Sequence, residues 1–228
     1  ADTEIWDGST WTEVNNLNTA RNETASATRG TTTASLGFGG DTPPNDNHAD
    51  TELWNGSNWT EVNNLNTGRR ALGGSGTSTA ALAFSGDGSP VPAAGTDTES
   101  YNGTSWTEGN ALNTSRYGAA GIGLYTAALG AGGANDASTV SNMDNVESWD
   151  GTNWTEIAEI NTGRAHMGGR AAGTQTAGLI FGGLNTYPGT NVLAVTELWN
   201  GSSWAEQSDL NTARSQVAAS GSSTAAFA

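Results

Sequence analysis

Few side chains in this sequence can do acid, base or nucleophilic chemistry. His48 and His166 stand far apart, and no cysteine is present to serve as nucleophile, thiolate ligand or disulfide partner. Catalysis usually needs a constellation that departs from the pattern around it. Here most carboxylates recur at regular spacing: Glu4, Glu52, Glu99, Glu147 and Glu197 form one set, and Glu13, Glu61, Glu108, Glu156 and Glu206 another. Five arginines recur with them, Arg21, Arg69, Arg116, Arg164 and Arg214, each closing a Leu/Ile-Asn-Thr-x-Arg segment. A guanidinium matches a carboxylate in planar, bidentate fashion. Two uses are therefore open: Arg-Glu pairing between structural units, or a pocket for an anionic ligand. Trp11, Trp59, Trp106, Trp154 and Trp204 recur as well, and their flat faces suit either packing or stacking on sugar rings. The loop with Asp41, Asp46, Asp50, Asn45, Asn47 and His48 is rich in hard oxygen ligands, but its spacing is not that of a calcium loop, and Pro43-Pro44 accounts for it as an exposed turn. No catalytic residue, metal site or cofactor is assigned, and the chain is expected to bind rather than to catalyse.

The elements that position these residues follow from the repeat. Trp6-Asp7-Gly8-Ser9-Thr10-Trp11 returns in varied form at 54–59, 101–106, 149–154 and 199–204, and the second tryptophans are 48, 47, 48 and 50 residues apart. That period accommodates a four-stranded blade of a β-propeller. Strand one is expected just after each arginine, and strand two in the apolar run before a glycine pair, as in Leu179-Ile180-Phe181-Gly182-Gly183. Strand three is expected at Thr-Glu-Leu-Trp and strand four at Trp-Thr-Glu-Val. Asn55-Gly56, Asn102-Gly103 and Asn200-Gly201, with Asp7-Gly8 and Asp150-Gly151, supply the turn between strands three and four, being residues that accept positive φ.

An arginine, an apolar strand ending in Gly39-Gly40, Gly132-Gly133 or Gly182-Gly183, an aromatic strand end, a tryptophan and a return to arginine resemble the kelch repeat over nearly the whole chain. Departures are Ser85-Gly86 at one doublet, Trp where Tyr is usual in strand three, and a shorter gap to the second Trp. The expected fold is all-β: one domain over 1–228, a five-bladed β-propeller of kelch-like four-stranded blades. N-terminal strands three and four would close the ring against C-terminal strands one and two, with Ala225-Ala226-Phe227 paired to Glu4-Ile5-Trp6. The resemblance also implies that arginines at this loop can bind acidic peptides. The copper oxidases among such propellers need a cysteine that is absent here.

Strand alternation places the loops between strands two and three on the same face as those between four and one. The segments that vary between repeats, 41–49, 87–97, 134–145 and 184–195, all join strands two and three, where recognition loops would lie. A net charge of −15 with no lysine opposes nucleic acid and anionic membrane, and no stretch nears the ~20 apolar residues of a membrane span. The expectation is a soluble monomer that binds a protein or peptide through the arginine and variable-loop face. A multivalent lectin stacking sugars on the tryptophans and a purely structural scaffold are the alternatives. The acidic, Asn/Thr/Gly-rich composition resembles repeat domains of phage and bacterial surface proteins.

Overall fold

The computed structural model describes residues 2–44, 46–88, 93–135, 142–185, 191–216 and 218–227. They contain strands and no helix, so no helix is long and apolar enough to cross a membrane. Four antiparallel four-stranded sheets succeed one another. Sheet I comprises Ala25–Ser26, Ser35–Phe38, Thr51–Trp54 and Trp59–Val62. Sheet II comprises Gly73–Thr77, Ala80–Phe84, Thr98–Tyr101 and Trp106–Glu108. Ala120–Leu124, Ala127–Ala131, Val146–Trp149 and Trp154–Ile157 make sheet III. Sheet IV is built from Gly168–Thr174, Ala177–Phe181, Thr196–Trp199 and Trp204–Gln207. In each the strands neighbour one another in chain order.

Two hairpins remain. Thr3–Trp6 pairs with Trp11–Val14, and Ser220–Ser222 pairs with Ala225–Phe227. The first has the sequence and register of strands three and four, the second those of strands one and two. Among the described residues no ladder joins them.

The core lies between sheets, not within any one of them. Along Ala80–Phe84 the small Ala81 and Ala83 turn toward Leu36, Phe38 and Trp106, while Leu82 and Phe84 turn to Ala128, Trp149 and Trp154. The period of two thus gives each blade a small face and a large face, and the large face of one fills the small face of the next. Edge contacts bind the aromatics across these joints, with ring centroids 5.0 Å apart for Phe38 and Trp106 and 4.9 Å for Phe84 and Trp154.

The inner strands are rich in glycine because they nearly touch. A Cβ on Gly74 would sit 2.5 Å from the Ser26 carbonyl oxygen, and one on Gly121 would run into the Gly74 carbonyl. In the turn between strands three and four only the glycine takes positive φ, near 95° in most copies. The preceding Asp or Asn works differently from the sequence expectation. Its carboxyl or amide oxygen accepts the N–H groups two and three residues on, as Asn55 does from Ser57 and Asn58 at 2.9 Å. The same bonds, led by that from the Thr10 amide, hold the exposed Asp7 carboxyl well below the usual carboxylate range, and the Asn153 and Thr152 amides depress Asp150.

Gly121→Ala is therefore expected to lower stability by about 3 kcal/mol, because backbone must move to admit the methyl. Gly88→Ala, where an added Cβ meets nothing within 4 Å, should stay within about 0.5 kcal/mol. Urea unfolding of the two variants checks the contrast.

Candidate functional site

The recurring arginines do not present their charge to solvent. Arg21, Arg116 and Arg164 have fully buried side chains, and Arg69 is nearly so. Their guanidiniums meet Glu52, Glu147, Glu197 and Glu99 at 2.7, 2.7, 3.0 and 3.0 Å respectively. Each pair lies within one repeat, joining the entry to strand one with the start of strand three, where the sequence suggested pairing between blades. The second guanidinium nitrogen of Arg21 donates to the carbonyls of Gly39 and Asp50, and that of Arg116 to those of Gly132 and Asn145. Burial pulls Arg69, Arg116 and Arg164 below the ordinary guanidinium pKa, against the upward pull of their glutamates.

The same glutamates hold the incoming loop. Glu52 accepts the Asn18 amide at 2.7 Å and its side chain at 2.8 Å, and Glu99, Glu147 and Glu197 repeat this with Asn66, Asn113 and Asn161. The glycine doublet supplies the link between sheets. The Gly40 N–H donates to the carbonyl of Arg69, the next arginine in the chain. Gly86, Gly133 and Gly183 do likewise to Arg116, Arg164 and Arg214. The first doublet residue has φ near 60°, including Ser85 at 59°. That non-glycine conformation costs about 1 kcal/mol, and the Ser85 hydroxyl compensates by accepting the Gly73 N–H.

The tryptophans of strand four also face inward. Trp106 and Trp154 are each 6% exposed, and their indole N–H groups donate to Thr51 and Thr98 of the preceding sheet. Trp59 reaches Thr3 of the N-terminal hairpin in the same way. Trp204 is 7% exposed and bonds the Ala158 carbonyl, since the equivalent of Thr98 in sheet III is Val146. Trp11 differs, at 65% exposed.

Where the repeats differ is the two positions after each arginine: Asn22-Glu23, Arg70-Ala71, Tyr117-Gly118, Ala165-His166 and Ser215-Gln216. The second of each pair takes a left-handed conformation, with φ of 52°, 49°, 66°, 51° and 54°. Backbone bonds run from Gln216 N–H to His166 O, His166 to Gly118, Gly118 to Ala71 and Ala71 to Glu23, making a circuit around the inner strands. The equivalent backbone geometry thus carries five unlike side chains. A cavity of about 470 Å³ opens there, lined by Asn22, Glu23, Thr24, His166 and Gln216 among others. Beside it Arg70 lies 3.7 Å from Glu23, 2.9 Å from Asp41 and 3.1 Å from Asp87. Burial works against its charge, but bonds from Asp41 and Asp87 and the field of Glu23 outweigh it, so its pKa is raised. None of these residues was singled out from the sequence except Asp41; comparing the copies just after the arginine would have found them.

The variable loops rise from fixed bases on this face. Asp41 bridges Asn22 and Asn47, Asp87 bridges Arg70 and Ala94, Ala134 bridges Tyr117 and Asn142, and Leu184 bridges Ala165 and Val192. The shared face is confirmed by bonds from Leu65, Leu112, Ile160 and Leu210 N–H, in the loops after strand four, to Ala49, Thr96, Asp144 and Ala194 carbonyls. The positions 45, 89–92, 136–141 and 186–190 of these loops lie outside the described residues. In the first loop His48 bonds Asp50 at 3.0 Å and Thr42 at 3.1 Å, and Asn64 steadies Asp50. No group of three or more His, Asp or Glu able to hold a metal occurs among the described residues. No model of a known protein family matches the chain, and no curated protein matches it either.

Glu147→Gln removes the carboxylate that balances the buried Arg116, and breaking one side of such a pair costs about 3–5 kcal/mol. A loss of that size in urea unfolding is expected. A loss under 1 kcal/mol would show that the pair is not the joint described.

Proposed function

We propose that the chain is a kelch-like five-bladed propeller that acts without catalysis, displaying its variable loops to a protein or peptide partner. What carries this reading is the set of small ladders at the loop bases. In all four complete sheets the loop is held in one register against the residue after the arginine, while its composition and length change from copy to copy. Fixed bases under unlike tips suit recognition, because a rigid frame reduces the ordering cost of binding. Asn47 and Asn142 tie neighbouring loops to the Asp87 and Leu184 carbonyls, so adjacent loops make a continuous surface.

The fifth blade would form from the two hairpins. By the register of sheets I to IV, Ala226 would face Trp6 and Phe227 would face Ile5. Thr196 Oγ1 is buried and has no hydrogen-bond partner among the described residues. Its counterparts Thr3, Thr51 and Thr98 each receive an indole N–H. The exposed Trp11 is the indole that the repeat assigns to Thr196, beside Phe181, the counterpart of Phe84. Closure would also add Glu23 N–H to Gln216 O as the fifth link of the backbone circuit. The buried position of Trp106, Trp154 and Trp204 favours packing over sugar stacking at those sites.

Peptide and glycan arrays probed with the 228-residue chain test the reading, alongside two variants. One carries Gly-Ser of equal length at 89–92, 136–141 and 186–190; the other has the strand-three to strand-four turns exchanged between copies. Peptide binding lost in the first and kept in the second, with both melting near the parent, is the expected result. Glycan binding that survives tip replacement would overturn it.

A further inference from the structure

From the mouth of the inner ring we infer that the partner is basic, and that the cavity at Glu23 receives a guanidinium or ammonium side chain from it. The inference rests on the display reading above and names the chemistry of what is bound.

Charge is the first reason. Eight arginines are the only basic residues other than histidine, against 23 acidic ones. Arg21, Arg69, Arg116 and Arg164 are sealed in ion pairs, Arg70 is held among carboxylates, and Arg29 donates to the Gly173 carbonyl. The repeat therefore hides its cations while Glu13, Glu61, Glu108, Glu156 and Glu206 stay exposed on the outer strands. An anionic ligand would meet a negative surface without a surface guanidinium ring to offset it, whereas a cationic one is drawn in.

Locality is the second. Glu23, Asp41 and Asp87 surround one guanidinium, that of Arg70, so the corner keeps an excess of negative charge. Asp41 is 3% exposed, and its Oδ1 and the Asn47 Oδ1 are buried acceptors without a donor among the described residues. Asp41 pairs through the backbone with Asn22, which lines the cavity. The cavity wall itself offers the Glu23 carboxylate with the amides of Asn22 and Gln216 and the Thr24 hydroxyl, and no lysine or arginine. Such an acceptor-rich recess of about 470 Å³ admits one long basic side chain.

Symmetry is the third. The counterparts of Asp41 and Asp87 in the next two sheets are Ala134 and Leu184, and those of Glu23 are Ala71, Gly118, His166 and Gln216. The acidic corner belongs to one side of the ring, so the site is single, not fivefold. Glu23 holds it from a left-handed backbone position that favours glycine.

Isothermal titration with an acetylated ten-residue Gly-Arg peptide, and with its Gly-Glu counterpart, tests this on the 228-residue chain. Binding of the Arg peptide at one per chain is expected, with no heat from the Glu peptide. Glu23→Gln should weaken it by about tenfold or more, while Glu61→Gln on the outer rim changes it by less than about twofold. Both variants should melt like the parent. Equal losses in the two variants, binding of the Glu peptide, or no heat from either would overturn the inference. A partner that depends on the loop tips but ignores Glu23→Gln would sink this inference and leave the display reading standing.

Discussion

Every repeat turns on one joint, a buried guanidinium held between a glutamate and the carbonyl that begins a glycine doublet. Taking Arg116 and Glu147 out of water is costly, and the cost is offset only when all their polar atoms find partners. Arg116 finds Glu147, Gly132, Asn145 and the Thr114 carbonyl; Glu147 finds Arg116 and the Asn113 and Thr114 amides. The joint fixes three chain segments at once: the entry to strand one, the exit from strand two and the start of strand three. The doublet then reaches the next arginine's carbonyl, so the position of one blade sets that of its neighbour. The left-handed residue after each arginine, the inner circuit and the loop bases all follow from that placement.

The tryptophans act at the opposite radius. Burying one indole between blades contributes about 4–6 kcal/mol from area alone, and its N–H selects the hydroxyl at the head of the preceding blade's third strand. An inner polar joint and an outer aromatic joint together leave little freedom in the angle between blades. This division explains why the sequence can afford inner strands made of Gly, Ala and Ser. Their part is to come close, and size is supplied from outside.

Much of the architecture was legible because the repeat advertises it. Strands three and four, the apolar second strand and the glycine pairs stand where the spacing put them, since period-two alternation and positive-φ glycines leave few other choices. The arginines show what could not be read. Their recurrence marks them as important, but whether a guanidinium points to solvent or to a glutamate of its own repeat depends on how strands one and three are brought together. The mouth of the ring was missed for a related reason. Glu23, Arg70 and His166 interrupt the repeat, and a search for what recurs passes over them. Ser85 was visible as an exception, though not the Gly73 N–H that makes it tolerable.

The fifth joint decides whether the four described sheets belong to a closed ring. It would unite Arg214 with Glu4, and Glu4 is exposed where its counterparts Glu52, Glu99, Glu147 and Glu197 are buried. The most direct measurement is the urea unfolding free energy of Glu4→Gln in dilute, monomeric solution. In a closed ring Glu4 is as deeply placed as Glu147, and the substitution should cost about 3 kcal/mol or more. A change within about 0.5 kcal/mol, as for an ordinary surface residue, would contradict closure.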